Sequence, residues 1–218
     1  MSVSKLLSRI VAPADDMEFN CKEAMNQTLH DHTYGITSDP LVQFACVFSA
    51  LIHDVDHTGV PNTQLVKENP SQAAQYNGRS VAEQNSVDLA WNVLMESKYS
   101  ELQAAIYSTK EELLRFRQLV VNCVMATDIM DKDLKLSRNN RWEIAFSDKS
   151  QVYDSQDTRN RKATIVIEHL LQASDVAHTM QHWHVYTKWN EKLFQECMEA
   201  YQAGRAEKDP VEGWYKVC

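Results

Sequence analysis

The chain has 218 residues, of which 44% are hydrophobic, and only five glycines and five prolines, so one all-α domain is expected rather than a turn-rich β-sandwich. The formal net charge is −8 and the chain has no dense basic cluster, which excludes a positively charged surface that would bind nucleic acid or anionic lipid. The five cysteines include no CxxC pair, which excludes a zinc ribbon and favours a cytoplasmic setting. No run approaches eighteen apolar residues, so no membrane contact is expected from this segment.

The first predicted elements are a helix, a loop and a second long helix. Apolar side chains recur at helical spacing in residues 2–11. Residues 12–38 are polar and predict a loop with one short helix around Phe19 to Leu29. Asp39 as N-cap and Pro40 at the first helical position then begin a helix that is apolar on every side up to Ile52. We therefore expect this helix to lie in the core.

The remainder of the chain is predicted as helices with one irregular segment. The stretch "TQLVKENPSQAAQY" predicts a helix broken at Pro70, and "SVAE" begins a helix that runs to about residue 96. Ser80 and Glu83 in this stretch match a capping box. Further helices are expected at roughly 100–108, 110–130 and 160–202, whereas the polar segment 131–159 is expected to be irregular.

A group of polar residues follows the apolar helix in "LIHDVDHTGVPN", residues 51–62. We expect His53 and Asp54 near the interior, where a desolvated carboxylate costs several kcal/mol unless a cation accompanies it. Two interpretations are open. In the first, Asp54 pairs with a nearby Arg or Lys, or Asp56 caps the following loop while His53 donates to a backbone carbonyl. In the second, His53 and Asp54 bind a metal.

A second acid supports the metal interpretation. Ile167, Leu171 and Asp175 share one helical face, so Asp175 is expected to point inward beside apolar side chains. Two inward carboxylates and a histidine are best explained together by a divalent cation, because oxygen ligands with imidazole suit Zn, Mg or Mn. The sequence thus favours a metal site formed by His53, Asp54 and Asp175.

Three nearby residues are compatible with more than one role. Asp128 lies on an apolar face and has two possible roles. It either holds a metal-bound water or orients a ligand histidine, or it bonds Thr127 or a neighbouring helix end. The capping box alone accounts for Glu83. His57 would share a face with His53 if the helix continued, but Gly59 and Pro61 in this segment indicate a turn, so its place at the site is open.

The ordered motifs resemble one enzyme family. "FSALIHDVDHTGVPNTQLV", "SVAEQNSVDLAWNVLM", "MATDIMDKDL" and "LLQASDVAHTMQHWHVYTKWNEKLFQE" are similar, in this order, to the catalytic domain of class I 3′,5′-cyclic nucleotide phosphodiesterases. The resemblance runs from about residue 40 to the end, and "VEGWY" is similar to microbial eukaryote members. It implies a compact multi-helix bundle of the HD/phosphodiesterase type that hydrolyses cAMP, cGMP or both to 5′-nucleotides in signal transduction.

The resemblance also implies roles for individual residues around two divalent ions, zinc with magnesium or manganese, bridged by a hydroxide that attacks the cyclic phosphate. The implied metal ligands are His53, Asp54 and Asp175, of which Asp54 reaches both ions. The implied catalytic residues that hold metal-bound water are His57 and Glu83. The residues implied to line the metal pocket or to contact the cyclic nucleotide are Thr127, Asp128 and His178, with Asp54 and Asp175 also touching substrate.

The sequence departs from the family pattern at both ends. An H-N-x-x-H-A segment, which supplies a general-acid histidine and another metal histidine, is expected before the first block, but the chain begins at "MSVSKLL". The purine-reading segment is likewise expected after "GWYKV". Residues 1–218 are therefore expected to be a partial catalytic domain truncated at both ends, with weak activity in isolation. The sequence leaves open whether a longer parent protein is tethered to a membrane.

Two other functions compete with this interpretation. One is a different HD-type phosphohydrolase, such as a nucleotidase, and the other is a non-catalytic regulatory module derived from the enzyme. The sequence does not determine the preference between cAMP and cGMP, nor the oligomeric state.

Overall fold

A computed structural model describes residues 2–12, 21–147 and 155–214, except for the side chains of residues 213 and 214. No strand occurs in these ranges, which confirms the all-α expectation. The helices are α1 (Ser2–Ile10), α2 (Lys22–His32), α3 (Pro40–Ile52), α4 (Asn62–Glu68), α5 (Pro70–Gln75), α6 (Val81–Leu94), α7 (Ser100–Ile106), α8 (Lys110–Met125), α9 (Lys132–Phe146), α10 (Gln156–Asp175), α11 (Trp183–Gln202) and α12 (Pro210–Trp214). Short 3₁₀ helices lie at Ile36–Ser38, Ser97–Tyr99 and Val176–Met180.

The main core lies where α3 packs against α8, with α1, α6 and α10 around them. Phe116 of α8 is fully buried at its centre. The rings of Phe44 and Phe48 lie 5.8 and 5.7 Å from it, centroid to centroid, and Trp91 of α6 lies 5.9 Å away. Stacked and tilted aromatic contacts of this kind add to the free energy of simple burial. This core fixes the direction in which α3 ends.

The predicted start of α3 is confirmed, but its complete burial is wrong. Asp39 accepts a hydrogen bond from the Val42 amide at 3.1 Å, and Pro40 is the first helical residue. Leu51, however, is 78% exposed, and Phe44 and Val47 are also exposed. The reason is that α3 packs against its neighbours on one side, so an apolar surface faces outward on the other.

The segment 131–159 was expected to be irregular, and this prediction is wrong for most of its length. Lys132–Phe146 forms α9, whose N-cap Asp131 accepts from the amides of Asp133 and Leu134. The helix packs against α10 through few buried residues, which include Arg138 and Ala145. Its mostly polar composition hides the apolar stripe by which a helix is usually recognised in a sequence. Residues 148–154 lie outside the described ranges.

Two other boundaries differ from the prediction. The helix expected over 160–202 is two helices, because the chain turns through Val176–Met180 and Gln181 before α11 begins. In the N-terminal region, α2 spans Lys22–His32 rather than Phe19 to Leu29, and Phe19 is not described. Among the helices described, none combines the length and apolar character needed to span a bilayer.

Candidate metal centre

His53 lies immediately after the last residue of α3, and the end of the helix fixes its ring. Its Nδ1 lies 3.0 Å from the carbonyl oxygen of Ala50, to which it donates, so a neutral ring carries its lone pair on Nε2. Nε2 is buried, and no group meets it with the geometry of a hydrogen bond. A buried nitrogen lone pair without a partner is uncommon in folded proteins, so this position suits a cation.

Two carboxylates approach this nitrogen. Oδ2 of Asp54 lies 3.1 Å and Oδ1 of Asp175 lies 3.3 Å from His53 Nε2, and one ligand atom from each of the three residues lies within 4.8 Å of the others. A lone pair and two negative oxygens repel one another unless a proton or a metal ion lies among them. Accordingly, Asp175 and then Asp54 raise the pKa of His53 to about 10, although burial opposes this rise.

Helix ends add to the negative potential at this point. Both α3 and α10 end here, and the C-terminus of a helix carries a partial negative charge. Interaction with His53 lowers the pKa of Asp54, against the opposing effect of burial. The centre therefore favours a cation through its carboxylates, its imidazole and two helix dipoles together.

The two acids are less buried than the sequence predicts. The side chain of His53 is 20% exposed, but those of Asp54 and Asp175 are 65% and 40% exposed. Asp54 does not continue the buried face of α3, because the helix ends at Ile52 and the chain turns. Asp175 is the last residue of α10, beyond the buried Ile167 and Leu171. The metal-binding atoms are thus accessible to solvent on one side.

A cavity of about 190 Å³ opens beside His53 and Asp175. Thr127, implied to line the metal pocket, does line this cavity, and its hydroxyl donates to the carbonyl of Val124 at 2.7 Å. Ser2 of α1 and Ser174 of α10 contribute further polar groups. A larger cavity of about 490 Å³, lined in part by Arg117, shares no lining residue with it.

Asp128 is buried and does not line the smaller cavity beside His53 and Asp175. Its Oδ1 accepts from the backbone amides of Met130 and Asp131 at 3.1 and 3.0 Å, and its Oδ2 accepts from the hydroxyl of Ser80 at 2.6 Å. Of the two roles open to Asp128, these contacts favour a carboxylate that fixes the turn before α9 and links it to the start of α6.

The capping box predicted for Ser80 and Glu83 is wrong. Ser80 is the N-cap of α6 but makes no side-chain cap, because its hydroxyl donates to Asp128. Glu83 instead accepts a hydrogen bond from Nδ2 of Asn62 at 2.9 Å, and burial raises the pKa of its carboxyl. The Glu83 side chain therefore does not cap α6. It contacts Asn62, in the segment that follows His53 and Asp54.

His57 is exposed and lies outside the group of three. Its Nδ1 accepts from the Gly59 amide at 3.1 Å, and Gly59 has φ of 74°, a conformation that favours glycine. The charge of His57 contributes, after larger effects, to lowering the pKa of Asp54 and opposes the rise at Glu83. His57 is thus a neighbour of both acids in this geometry.

The remaining implied contact, His178, is exposed in the 3₁₀ helix after α10, and its Nδ1 lies 3.2 Å from the carbonyl oxygen of Asp175. It follows the candidate centre directly along the chain and does not line the small cavity. The sequence predicts no role for Asn62, and for Ser80 it predicts only the role of a cap. The signal available for Asn62 was its place at the end of the "HTGVPN" block.

Comparison with known proteins identifies similar chains. A family model described as 3′5′-cyclic nucleotide phosphodiesterase matches residues 18–216. The dual specificity calcium/calmodulin-dependent 3′,5′-cyclic nucleotide phosphodiesterase 1B of Rattus norvegicus is 28% identical over 154 residues, which cover 70% of this chain and 26% of that protein. The corresponding 1C protein of Mus musculus is 28% identical over 176 residues, covering 79% and 23%. The chain thus spans about a quarter of the length of the curated relatives that it matches.

Solved structures agree with the fold. The phosphodiesterase domain of the Salpingoeca rosetta rhodopsin phosphodiesterase superimposes with a TM-score of 0.61 at 21% identity, covering 93% of this chain and 61% of that one. This likeness confirms the predicted helical bundle.

Proposed function

The chain belongs to the 3′5′-cyclic nucleotide phosphodiesterase family, and from that membership we propose that it carries the metal-binding part of an enzyme that hydrolyses cAMP, cGMP or both to 5′-nucleotides. One observation in particular supports the proposal. The buried Nε2 of His53 makes no hydrogen bond of regular geometry and lies 3.1 and 3.3 Å from two carboxylates, an arrangement that suits a divalent cation.

His53, Asp54 and Asp175 are the proposed metal ligands. Imidazole nitrogen with carboxylate oxygen suits zinc, and a site richer in oxygen suits magnesium or manganese, so we propose two divalent ions of these kinds. Such ions supply Lewis acidity, lower the pKa of coordinated water toward neutrality and neutralise charge on the phosphate. The strongly exposed Asp54 has the freedom to reach a second ion.

The other residues of the chain are proposed to bind and orient. Glu83 is half-buried and its carboxylate accepts a hydrogen bond from Asn62, so it is suited to accept a further hydrogen bond from a water that it orients. His57 lies near enough to influence both Asp54 and Glu83 and is proposed to assist there. His178 is exposed beyond Asp175 and is proposed to face the nucleotide. In the net reaction, an oxygen of water bonds to phosphorus, the bond to the 3′ oxygen breaks, and one proton of the water passes to that oxygen, which leaves as the 3′ hydroxyl.

An acidic protein repels an anionic substrate unless positive charge is supplied locally. The chain has a net charge of −8, and its candidate centre adds two carboxylates. Metal binding at these carboxylates is therefore the proposed basis of cyclic phosphate recognition.

Two further parts of the proposal concern the context of the chain. We propose that residues 1–218 form part of one catalytic domain. We also propose a cytoplasmic setting, because Cys21, Cys46, Cys123 and Cys197 are free, as is usual in a reducing compartment.

The proposed function is tested by metal content and turnover together. We expect the purified chain to retain Zn²⁺ or Mn²⁺ after dialysis and to convert cAMP or cGMP to the 5′-nucleotide, at a low rate in isolation. Asp54→Asn and Asp175→Asn are expected to abolish both properties. A folded chain that holds no metal and releases no 5′-nucleotide at any metal concentration would refute the proposal.

A further inference from the structure

The side-chain amide of Asn62 joins three groups around the start of α6. Asn62 is the first residue of α4 and is half-buried. Its Oδ1 accepts a hydrogen bond from the backbone amide of Ala82 at 2.9 Å. Its Nδ2 donates to Oε2 of Glu83 at 2.9 Å and to Oδ2 of Asp128 at 3.4 Å. The single amide thus contacts the start of α6 and two carboxylates.

These partners allow only one orientation of the Asn62 amide. The Ala82 backbone N–H is a donor, so it requires the oxygen of Asn62, whereas ionised carboxylates accept and require its NH₂ group. Rotation by 180° would oppose two donors at Ala82 and place an oxygen against two negative groups. The hydrogen-bond network therefore defines which end of the amide faces Glu83.

Asn62 also performs the capping that Ser80 does not. The first amides of a helix lack partners within the helix, and a side-chain oxygen usually accepts from one of them. Ser80 gives its hydroxyl to Asp128 instead, and the Ala82 amide is satisfied by Asn62, 20 residues before it in sequence. Because the cap comes from α4, Glu83 does not fold back over the helix start as it would in a capping box.

Glu83 needs such a partner because its surroundings disfavour a negative charge. Burial raises the pKa of Glu83, and the charge of Asp128 adds to this rise. The Asn62 hydrogen bond opposes the rise most strongly, followed by a hydrogen bond with the Glu83 backbone and by the charge of His57. Within the described residues, Asn62 provides the side-chain hydrogen bond that Glu83 receives.

We propose that Asn62 is a positioning residue, which caps α6 through its oxygen and through its nitrogen holds the Glu83 carboxylate in one orientation beside Asp128. The orientation of Glu83 follows from these contacts together with a hydrogen bond to its own backbone. Only the purpose of that orientation, an acceptor for water at the metal centre, rests on the proposed function.

Carboxyl titration of Glu83 tests the contact directly and does not need metal. Chains labelled with ¹³C in the glutamate carboxyl group are titrated by NMR, and the Glu83 signal is assigned by its loss in Glu83→Gln. We expect Asn62→Ala to raise the pKa of Glu83 further, because the ionised carboxylate loses its donor. Asn69→Ala is the matched control, since Asn69 caps α5 through Gln72 and should leave the Glu83 titration unchanged.

Mn²⁺ affinity, measured by electron paramagnetic resonance, tests whether Asn62 acts through Glu83. We expect Asn62→Ala and Glu83→Gln each to weaken binding by roughly tenfold, as changes to outer-sphere partners of a metal do, and the double variant to bind no more weakly than Glu83→Gln alone. Equal losses that multiply in the double variant would contradict a role through Glu83, as would an unchanged Glu83 titration in a folded Asn62→Ala chain.

A measurement on the unmodified chain covers the case in which Asn62→Ala does not fold. The side-chain NH₂ resonances of Asn62 should follow the titration of Glu83 and lose this pH response in Glu83→Gln. NH₂ resonances that ignore Glu83 would overturn the inference. A chain that binds no Mn²⁺ would instead contradict the proposed function, and the two NMR titrations would still decide the role of Asn62.

Discussion

Nε2 of His53 and Oδ1 of Asp175 lie 3.3 Å apart, although about 120 residues separate them in the sequence. One belongs to the end of α3 and the other to the end of α10. Their proximity depends on the packing of these two helices in the core, and it creates a site that neither segment has alone.

Asp175→Asn is expected to weaken metal binding strongly. The substitution preserves the shape of the side chain but removes one of the negative charges that face His53. Because Asp175 is a proposed direct ligand, the loss of Mn²⁺ affinity should exceed the roughly ten- to hundredfold loss typical of outer-sphere partners. Isothermal titration calorimetry measures it. Asp157→Asn, at an exposed position in the first turn of the same helix, should bind like the unmodified chain. Equal affinities in all three chains would contradict the assignment.

Divalent metal is expected to stabilise the fold. An ion that binds only the native state at one hundred times its Kd contributes about 2.7 kcal/mol. For a chain of this size, that corresponds to a rise in Tm of roughly 5–10 °C. Thermal unfolding followed by circular dichroism, with Mn²⁺ and then with excess EDTA, should show the rise and its reversal. The double variant Asp54→Asn/Asp175→Asn should show neither, and the same rise in that variant would place the stabilising ion elsewhere.

The contact between the buried Glu168 and the partly exposed Arg141 predicts a pH-dependent stability. Nη1 and Nη2 of Arg141 donate to Oε1 and Oε2 of Glu168, at 3.1 and 2.6 Å, yet burial raises the pKa of Glu168 above its usual 4.5. A raised pKa means that the folded state binds the proton more tightly than the unfolded state. The resulting stabilisation is complete below about pH 4.5 and is lost as the pH rises through the folded value.

Glu168→Gln removes this titration and isolates its effect. The free energy of unfolding of the unmodified chain, minus that of Glu168→Gln, should therefore fall as the pH rises through that window. Urea unfolding at a series of pH values, in the presence of EDTA, measures the difference. Glu143→Gln on the exposed side of α9 controls for the loss of one surface charge. A difference that is constant or rises with pH would contradict a raised pKa at Glu168.

Phe116→Ala is expected to cost about 3–5 kcal/mol of stability, because it opens a cavity in the aromatic centre of the core. Leu114, two residues earlier on α8, is 58% exposed, and Leu114→Ala should cost less than about 0.5 kcal/mol. Chemical unfolding compares the two variants. Similar costs would mean that the aromatic cluster is not the centre of the packing.

The sequence predicted those features that depend on local chemistry. Asp39 and Pro40 mark the beginning of α3, and Pro70 separates α4 from α5, because caps and prolines act through their own backbone neighbours. The grouping of His53, Asp54 and Asp175 was also predicted, although the two acids are exposed rather than inward as that prediction assumed.

The sequence was less informative where distant contacts decide the outcome. Ser80 and Glu83 match a capping box locally, but Asp128 takes the hydroxyl and Asn62 takes the carboxylate. The exposed face of α3 depends on which helices pack against it, and α9 is too polar for periodicity to reveal it. For the capping box and for α3, tertiary partners override the local pattern, whereas α9 shows too weak a pattern to be recognised.

The position of the candidate centre has a consequence for how the chain holds together. An ion bound by both Asp54 and Asp175 would close a loop of about 120 residues and act as a reversible cross-link. Removing such a cross-link frees the ends of α3 and α10 to part. Chelation is therefore expected to make the segments around these helix ends exchange their amide hydrogens faster, before the aromatic centre loosens.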